Sequence, residues 1–221
     1  MEYRKEPINT VKRGTKRATY DKQIIHQILD ASNLCYIAFL FEGKPFVQPI
    51  TYGRKEETLF MHGSLQNRMT SAIIEQEEVC LNITLLDGML LTRSAFHHSV
   101  NYRSAVIFGK VRELKTNEEK LEGLKTIINH FVPDRWHYCR KPNDNELKGT
   151  RVIAVDIISA SAKTKNTGPN DNKEDLDLDF WAGTIPVKTF IEMPFSDEHV
   201  PGSMPIPEHV SAYYEKYKNG F

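Results

Sequence analysis

Residues His62-Gly63-Ser64-Leu65-Gln66-Asn67-Arg68 hold the most suggestive chemistry in this chain. They join the end of a β-favouring run to the start of a helical pattern. The free amides of a first helical turn attract anions. Ser64 and Asn67 are capping residue types, Arg68 brings a forked cation suited to phosphate, and Gly63 lets backbone come close to a ligand. The same residues also make a plain capped helix with a surface arginine. His62 suits a catalytic role or local hydrogen bonding at a strand end.

A second polar block, Thr92 to Ser104 (TRSAFHHSVNYRS), lies between two strand-like runs and is richer in chemistry than a hairpin turn needs. It reads either as a surface loop or as a loop folded over a polar ligand, with Arg93 or Arg103 as the charge. Trp181 either anchors the tail or stacks on a planar heteroaromatic ligand. Metal chemistry lacks support: His97-His98 point to opposite faces of a strand, and His137-x-Cys139 has no partners at ligand spacing. There is no P-loop, no dinucleotide-binding glycine fingerprint and no nucleophile elbow.

These residues must be positioned by elements that the pattern suggests. Ile24, Ile25, Ile28 and Leu29 recur at helical spacing after a possible Thr19 cap. Residues 34–41 and 46–53 read as a hairpin, with Pro49 needing an edge or a bulge. Further strands fall at 58–63, 79–86, 89–96, 104–114 and 151–159, with Asp87-Gly88 as a turn and Gly109 as a bulge. Asn67 to Glu75 reads as a short helix. Thr116-x-x-Glu119 is a capping box opening another, and a short helix begins near Pro207. About seven strands, mostly in consecutive runs, argue an antiparallel barrel with peripheral helices, mainly β.

Lys plus Arg equals Asp plus Glu at 29 each, so the global basic field expected of a nucleic-acid binder is absent. No run is long enough to span a membrane, and no secretory leader is recognisable at the start. Cys35, Cys80 and Cys139 form a poor disulfide framework, which suggests a reducing, cytoplasmic setting. Cys35 and Cys80 read as core residues. The expected organisation is a solvated arm (1–18), a barrel domain (19–193) and a proline-rich tail with a short helix (194–221).

PFVQPITYGR, TLFMHGSLQNRM and LLTRSAFHHSVNYRSAVIFG resemble the pyridoxamine 5′-phosphate oxidase-related flavoproteins, and most of all their nitroimidazole-resistance branch. ELKGTRVIAVDI, SASAKTKNTGP and DFWAGTIPV agree, so the resemblance runs from about Thr19 to Val187. It implies a split β-barrel and a homodimer with FMN at the interface. One subunit would supply the backbone of Val47, Gln48, Pro49, Ile50, Thr51 and Tyr52 to the flavin ring. His62, Gly63, Ser64, Asn67 and Arg68 would grip the phosphate. The other subunit would add Tyr102, Arg103, Ser104, Lys163 and Trp181. A proline inside a strand leaves hydrogen bonding incomplete, so a ligand can meet backbone there. His62 matches a histidine singled out near the flavin in that branch.

The implied function is an oxidoreductase in which NADPH or NADH reduces the flavin, which then reduces a small aromatic or nitro substrate. The alternatives are a non-catalytic protein that stores or senses flavin, deazaflavin or haem on the same fold, and a dimeric barrel whose polar loops face another protein. One departure is plain. The oxidases proper carry an Arg-x-His pair near the C-terminus, whereas here that spacing occurs only at Arg135-x-His137, mid-chain. This argues against a vitamin B6 phosphate substrate.

Overall fold

Strands β2 (Leu34–Phe41) and β3 (Lys44–Thr51) form a hairpin in full register, Leu34 opposite Thr51 and Phe41 opposite Lys44. Its two-residue turn, Glu42-Gly43, has φ of 50° and 73°, the left-handed pair that matches the twist of the flanking strands. After β4 (Gly53–Lys55) and β5 (Thr58–Ser64) come helix α2 (Arg68–Gln76) and three long strands, β6 (Glu78–Leu91), β7 (Ser99–Leu114) and β8 (Thr150–Lys165). These belong to one nine-stranded antiparallel sheet whose main path is β3-β2-β6-β7-β8-β5-β4. The two-stranded-edge pieces β1 (Ala18–Thr19) and β9 (Gly183–Pro186) pair with β8 and β6. The computed structural model describes residues 1–220.

The ends of that path explain the barrel. β3 and β4 lie at opposite ends of the sheet, yet only Tyr52 separates them in the chain. The sheet must therefore curl until its ends meet, and with no ladder between β3 and β4 the closure is a split barrel. Tyr52 sits at this seam, fully buried, its hydroxyl donating to the Leu29 carbonyl. The inner face, including Ile37, Leu59, Leu81, Ile107 and Val155, packs with Ile25 and Leu29 of α1 (Lys22–Asp30) into the main core. A smaller cluster of Phe60, Leu114, Ile127, Val152 and Ala154 lies on the other side of β5 and β8, beneath α3 (Asn117–Phe131). The remaining helices, α4 (Asp144–Gly149) and α5 (Glu208–Tyr217), are peripheral.

Several local expectations hold. Gly109 marks a register shift against β8, and a Cβ there would meet Val155 Cγ1 at 2.4 Å. Thr116 and Glu119 cap α3 reciprocally. α5 starts after Pro207. Others need correction. Asp21, not Thr19, caps α1, accepting from the Ile24 amide. Asp87-Gly88 is not a turn: β6 runs through it with a bulge, because β9 pairs across Gly88 to Leu91. β7 begins at Ser99, inside the supposed loop, and β8 extends to Lys165. There are nine strands and five α-helices among the described residues, not seven and four.

The N-terminal arm is docked and not solvated. Tyr3 is buried, and its hydroxyl donates to Glu57 beside His26. Asn9 is buried too, its amide donating to the Ala160 carbonyl on β8. Cys35 is in the core, where burial pushes its thiol up to about 12. Cys80 is not: it faces outward on β6 and is only partly covered.

Candidate functional site

α2 begins where it does because Asn67 caps it, Oδ1 accepting from the Met69 amide at 2.9 Å. Asn67 also closes a turn from β5, its own amide donating to the Ser64 carbonyl at 3.0 Å. The Leu65 amide donates to the Gly149 carbonyl. Among the described residues the amides of Gln66 and Arg68 have no partner, and neither does the Ser64 hydroxyl. These are free donors at the positive end of a nine-residue helix. Gly63 is needed for tightness here: a Cβ would lie 3.0 Å from Thr70 Cγ2 and 3.2 Å from Asn67 Nδ2.

Arg68 is the first residue of α2 and is exposed. Its guanidinium lies over the Phe46 ring at 4.8 Å and the Phe41 ring at 5.4 Å. These cation–π contacts orient the fork without neutralising it. Among the described residues no carboxylate pairs with it. Phe46 precedes Val47, so the phosphate-binding candidate and the β3 segment meet at one point. From behind, Arg151 holds the first turn, with Nη1 donating to Ser71 Oγ at 2.8 Å and Nε to Glu113 Oε1 at 3.0 Å.

β3 is an end strand, paired only with β2. Val47 is 66% exposed and Pro49 is exposed on the same outer face, while Gln48, Ile50 and Thr51 are partly covered. Tyr52 can offer only backbone, since its side chain is core. His62 projects with Phe60 from the face of β5 opposite Met61, toward the α3 side. The Gly63 Cβ direction, by contrast, faces Asn67 and Thr70. Partial dehydration holds the His62 imidazole below its ordinary pKa, so it is neutral at pH 7.

The residues expected from a second subunit form their own patch. Ser104 is directly opposite Lys163, and Tyr102 opposite Lys165, on the outer face of β7 and β8. The adjoining rows on β6 and β2 expose Leu86, Tyr36 and Leu34. Lys163 Nζ donates to the Arg13 carbonyl at 3.3 Å. Trp181 is 68% exposed and lies against Gly183, where a Cβ would meet the indole at 2.5 Å. Arg103 is ion-paired: Asp87 takes its guanidinium in a two-pronged pair, Nη2 to Oδ1 at 2.7 Å and Nε to Oδ2 at 3.0 Å. Arg93 is likewise committed to Asp171. The Asp87 pairing was illegible because it needs the β6 bulge, and the Asp171 pairing spans 78 residues.

The fold and the turn between β5 and α2 define a split-barrel class, and the sequence places the chain within it. Residues 21–164 match the pyridoxamine 5′-phosphate oxidase family model, and the chain belongs to that family. Flavocytochrome Anf3 from Azotobacter vinelandii is 30% identical, with a TM-score of 0.87 over 96% of this chain and 97% of that one. A FAD and heme binding protein from Mycobacterium smegmatis is 29% identical, with a TM-score of 0.83 over 89% and 96%. A Bacteroides thetaiotaomicron protein ascribed to 5-nitroimidazole antibiotic resistance is 25% identical, with a TM-score of 0.57 over 66% and 85%. No curated protein matches the sequence. No helix is long and apolar enough to cross a membrane.

Proposed function

We propose that this protein binds a flavin nucleotide between β3 and the start of α2, and that it is a flavin-dependent oxidoreductase. The observation that carries the reading is Arg68: an unpaired guanidinium at a helix N-terminus, stacked on Phe46 at 4.8 Å, which is the residue next to Val47. The chain's free donors fit a phosphate. The Gln66 and Arg68 amides, the Ser64 hydroxyl and the Arg68 fork belong to one turn, and among the described residues no carboxylate pairs with Arg68. The open backbone of β3 fits the edge of a planar ring.

A bound flavin supplies hydride and electron transfer from NADPH or NADH to a small aromatic or nitro substrate, with no amino-acid nucleophile. The chain's part is to hold and orient. Arg68 anchors the phosphate, and the strand Val47 to Tyr52 aligns the ring. Two copies joined through their outer sheet faces would each lend Tyr102, Ser104, Lys163 and Trp181 to the other. Leu34 and Tyr36, each 49% exposed on the same face, support such a homodimer. The test is the absorption spectrum of the purified protein before and after NADPH. A yellow protein that bleaches supports the reading; a colourless one that takes up no flavin ends it.

A second reading has its own support. The two relatives that span 96% and 89% of the chain are named for flavin or heme, and one of them for FAD. On this reading the nucleotide is FAD and a haem accompanies it for electron transfer, not nitro reduction. Mass measurement of the released flavin separates FMN from FAD, and a Soret band reports haem.

A further inference from the structure

The N-terminal arm brings its cations to the far end of β8. β1 sets the register: Ala18 lies opposite Lys163 and Thr19 opposite Ala162. Just before β1 the chain makes one turn of 3-10 helix, Thr15–Arg17, closed by the Arg17 amide donating to the Gly14 carbonyl at 3.0 Å. Gly14 has a φ of 71°, the left-handed conformation that glycine adopts at no steric cost. Arg17 folds back over it, since a Cβ on Gly14 would lie 3.4 Å from Arg17 Nη2. Lys163 and Lys165 alternate along β8 and so project from one face. Lys163 Nζ donates to the Arg13 carbonyl at 3.3 Å, and Lys165 Nζ to Ser99 Oγ at 2.7 Å.

Among the described residues no carboxylate pairs with Arg17, Lys163 or Lys165. By contrast Arg54, Arg103, Arg112 and Arg151 each have a carboxylate partner. Burial, and then the neighbouring Arg17, hold the Lys165 ammonium below its ordinary pKa. Like charges held together without a counter-charge repel one another and attract an anion. The Arg68 turn is a different place. It lies by the other end of β8, where Gly63 is opposite Arg151. From Arg151 to Lys163 the strand runs about 40 Å, so within one chain no single phosphate touches both.

We propose that Arg17, Lys163 and Lys165 form a second phosphate site, which takes the adenylate-side phosphate of a dinucleotide. The proposal rests on the flavin reading above and sharpens it. FMN carries one phosphate, and Arg68 with its neighbouring amides already meets it. Where two copies pair, Lys163 is lent to the flavin of the other copy, and Arg17 and Lys165 come with it. These cations are surplus to FMN and match the additional phosphate of FAD. The same chemistry accepts a phosphate of NADPH as the donor reaches the flavin, so the experiment separates the two sources.

The test is calorimetric titration of the full chain: FMN, FAD and ADP into the flavin-free protein, and NADP⁺ into the FMN-loaded one. FAD should bind about tenfold more tightly than FMN, the effect of one charge-assisted contact. ADP should compete with FAD and not with FMN. Arg17→Gln combined with Lys165→Gln should bring FAD down to the FMN affinity, abolish ADP binding and leave FMN unchanged. Added salt should narrow the gap between the two flavins. If FAD and FMN bind alike and the double variant weakens only NADP⁺, the site holds the electron donor. Equal binding of the two flavins, with neither ADP nor NADP⁺ responding to the double variant, overturns the proposal and leaves the flavin reading standing. A wild-type chain that takes up neither flavin ends that reading; ADP binding lost in the double variant then still upholds the phosphate site, and ADP binding absent or unchanged strikes it too. Arg17 is exposed, so Arg17→Gln alone decides the question where the double variant fails to fold.

Discussion

Arg68 bears little structural load beyond its two cation–π contacts. It makes no ion pair among the described residues, and its ring contacts lie at the surface. Arg68→Ala should therefore leave the melting temperature within a few degrees while weakening flavin binding about 10–100-fold, the loss of one charge-assisted phosphate contact. Equilibrium dialysis against FMN and FAD measures it; unchanged affinity in both would remove Arg68 from the site. Acid sensitivity also belongs to single residues. Burial holds His26, His62 and His130 below the ordinary histidine value of 6.5. The unfolded chain therefore takes up protons there before the folded one does, and stability falls as pH drops through about 6.5. Glu57, held below its ordinary 4.5 chiefly by its Tyr3 and Lys22 hydrogen bonds against the opposing effect of burial, adds a second loss at lower pH. Melting curves should be flat above about pH 7 and decline below it. His130→Gln, which can keep the donor to the Ser32 carbonyl, should flatten the upper part of that decline.

At the scale of elements, two junctions decide whether the site is assembled. The β4–α3 contact depends on Gly53, where a Cβ would come within 2.5 Å of the Thr126 carbonyl and 2.6 Å of Ile127 Cα. Backbone cannot yield as a side-chain tip can, so Gly53→Ala should destabilise by about 1–3 kcal/mol, measured by urea denaturation. A change under 0.5 kcal/mol would show that α3 shifts freely. The β5–α2 turn depends on Asn67. Asn67→Ala should cost about 1 kcal/mol of stability and also weaken flavin binding, whereas Arg68→Ala affects only the second. These elements were unequally legible. Capping boxes and the α2 start are local chemistry, written within four residues. The course of β6 is not local: its partner β9 arrives some ninety residues later, and Gly88, lying 3.1 Å from the Ile185 carbonyl by its missing Cβ, looks like turn glycine until that partner is known.

For the whole molecule, the outer sheet face carries Leu34, Tyr36 and Leu86 in the open, with Tyr102, Ser104 and Lys163 among them. A lone soluble barrel rarely leaves so much apolar surface contiguous. If two copies pair through this face as proposed, Tyr36→Glu should convert a dimer to a monomer by light scattering, with flavin lost at the same time because half of each proposed site would go with the partner. A variant that is monomeric yet fully flavin-loaded would place the whole site in one chain.

The sequence by itself determined the fold class, the antiparallel run of strands, the capped start of α2 and the candidate grip at His62 to Arg68. The first three rest on periodicity, capping and turn chemistry, which act over a few residues; the reading of His62 to Arg68 as a grip rests on the resemblance to the flavoproteins, since local chemistry alone leaves a plain capped helix open. Tertiary structure alone decided which of the candidate charges stay free. Arg103 and Arg93 are spent on Asp87 and Asp171, while Arg68 stands on two phenylalanines with its charge unpaired. It alone decided that the arm expected to be solvated is docked, through Tyr3 on Glu57 and Asn9 on the Ala160 carbonyl. The reason is physical: ion pairing and burial are set by distance in space, and a curled sheet brings together residues that no local pattern connects.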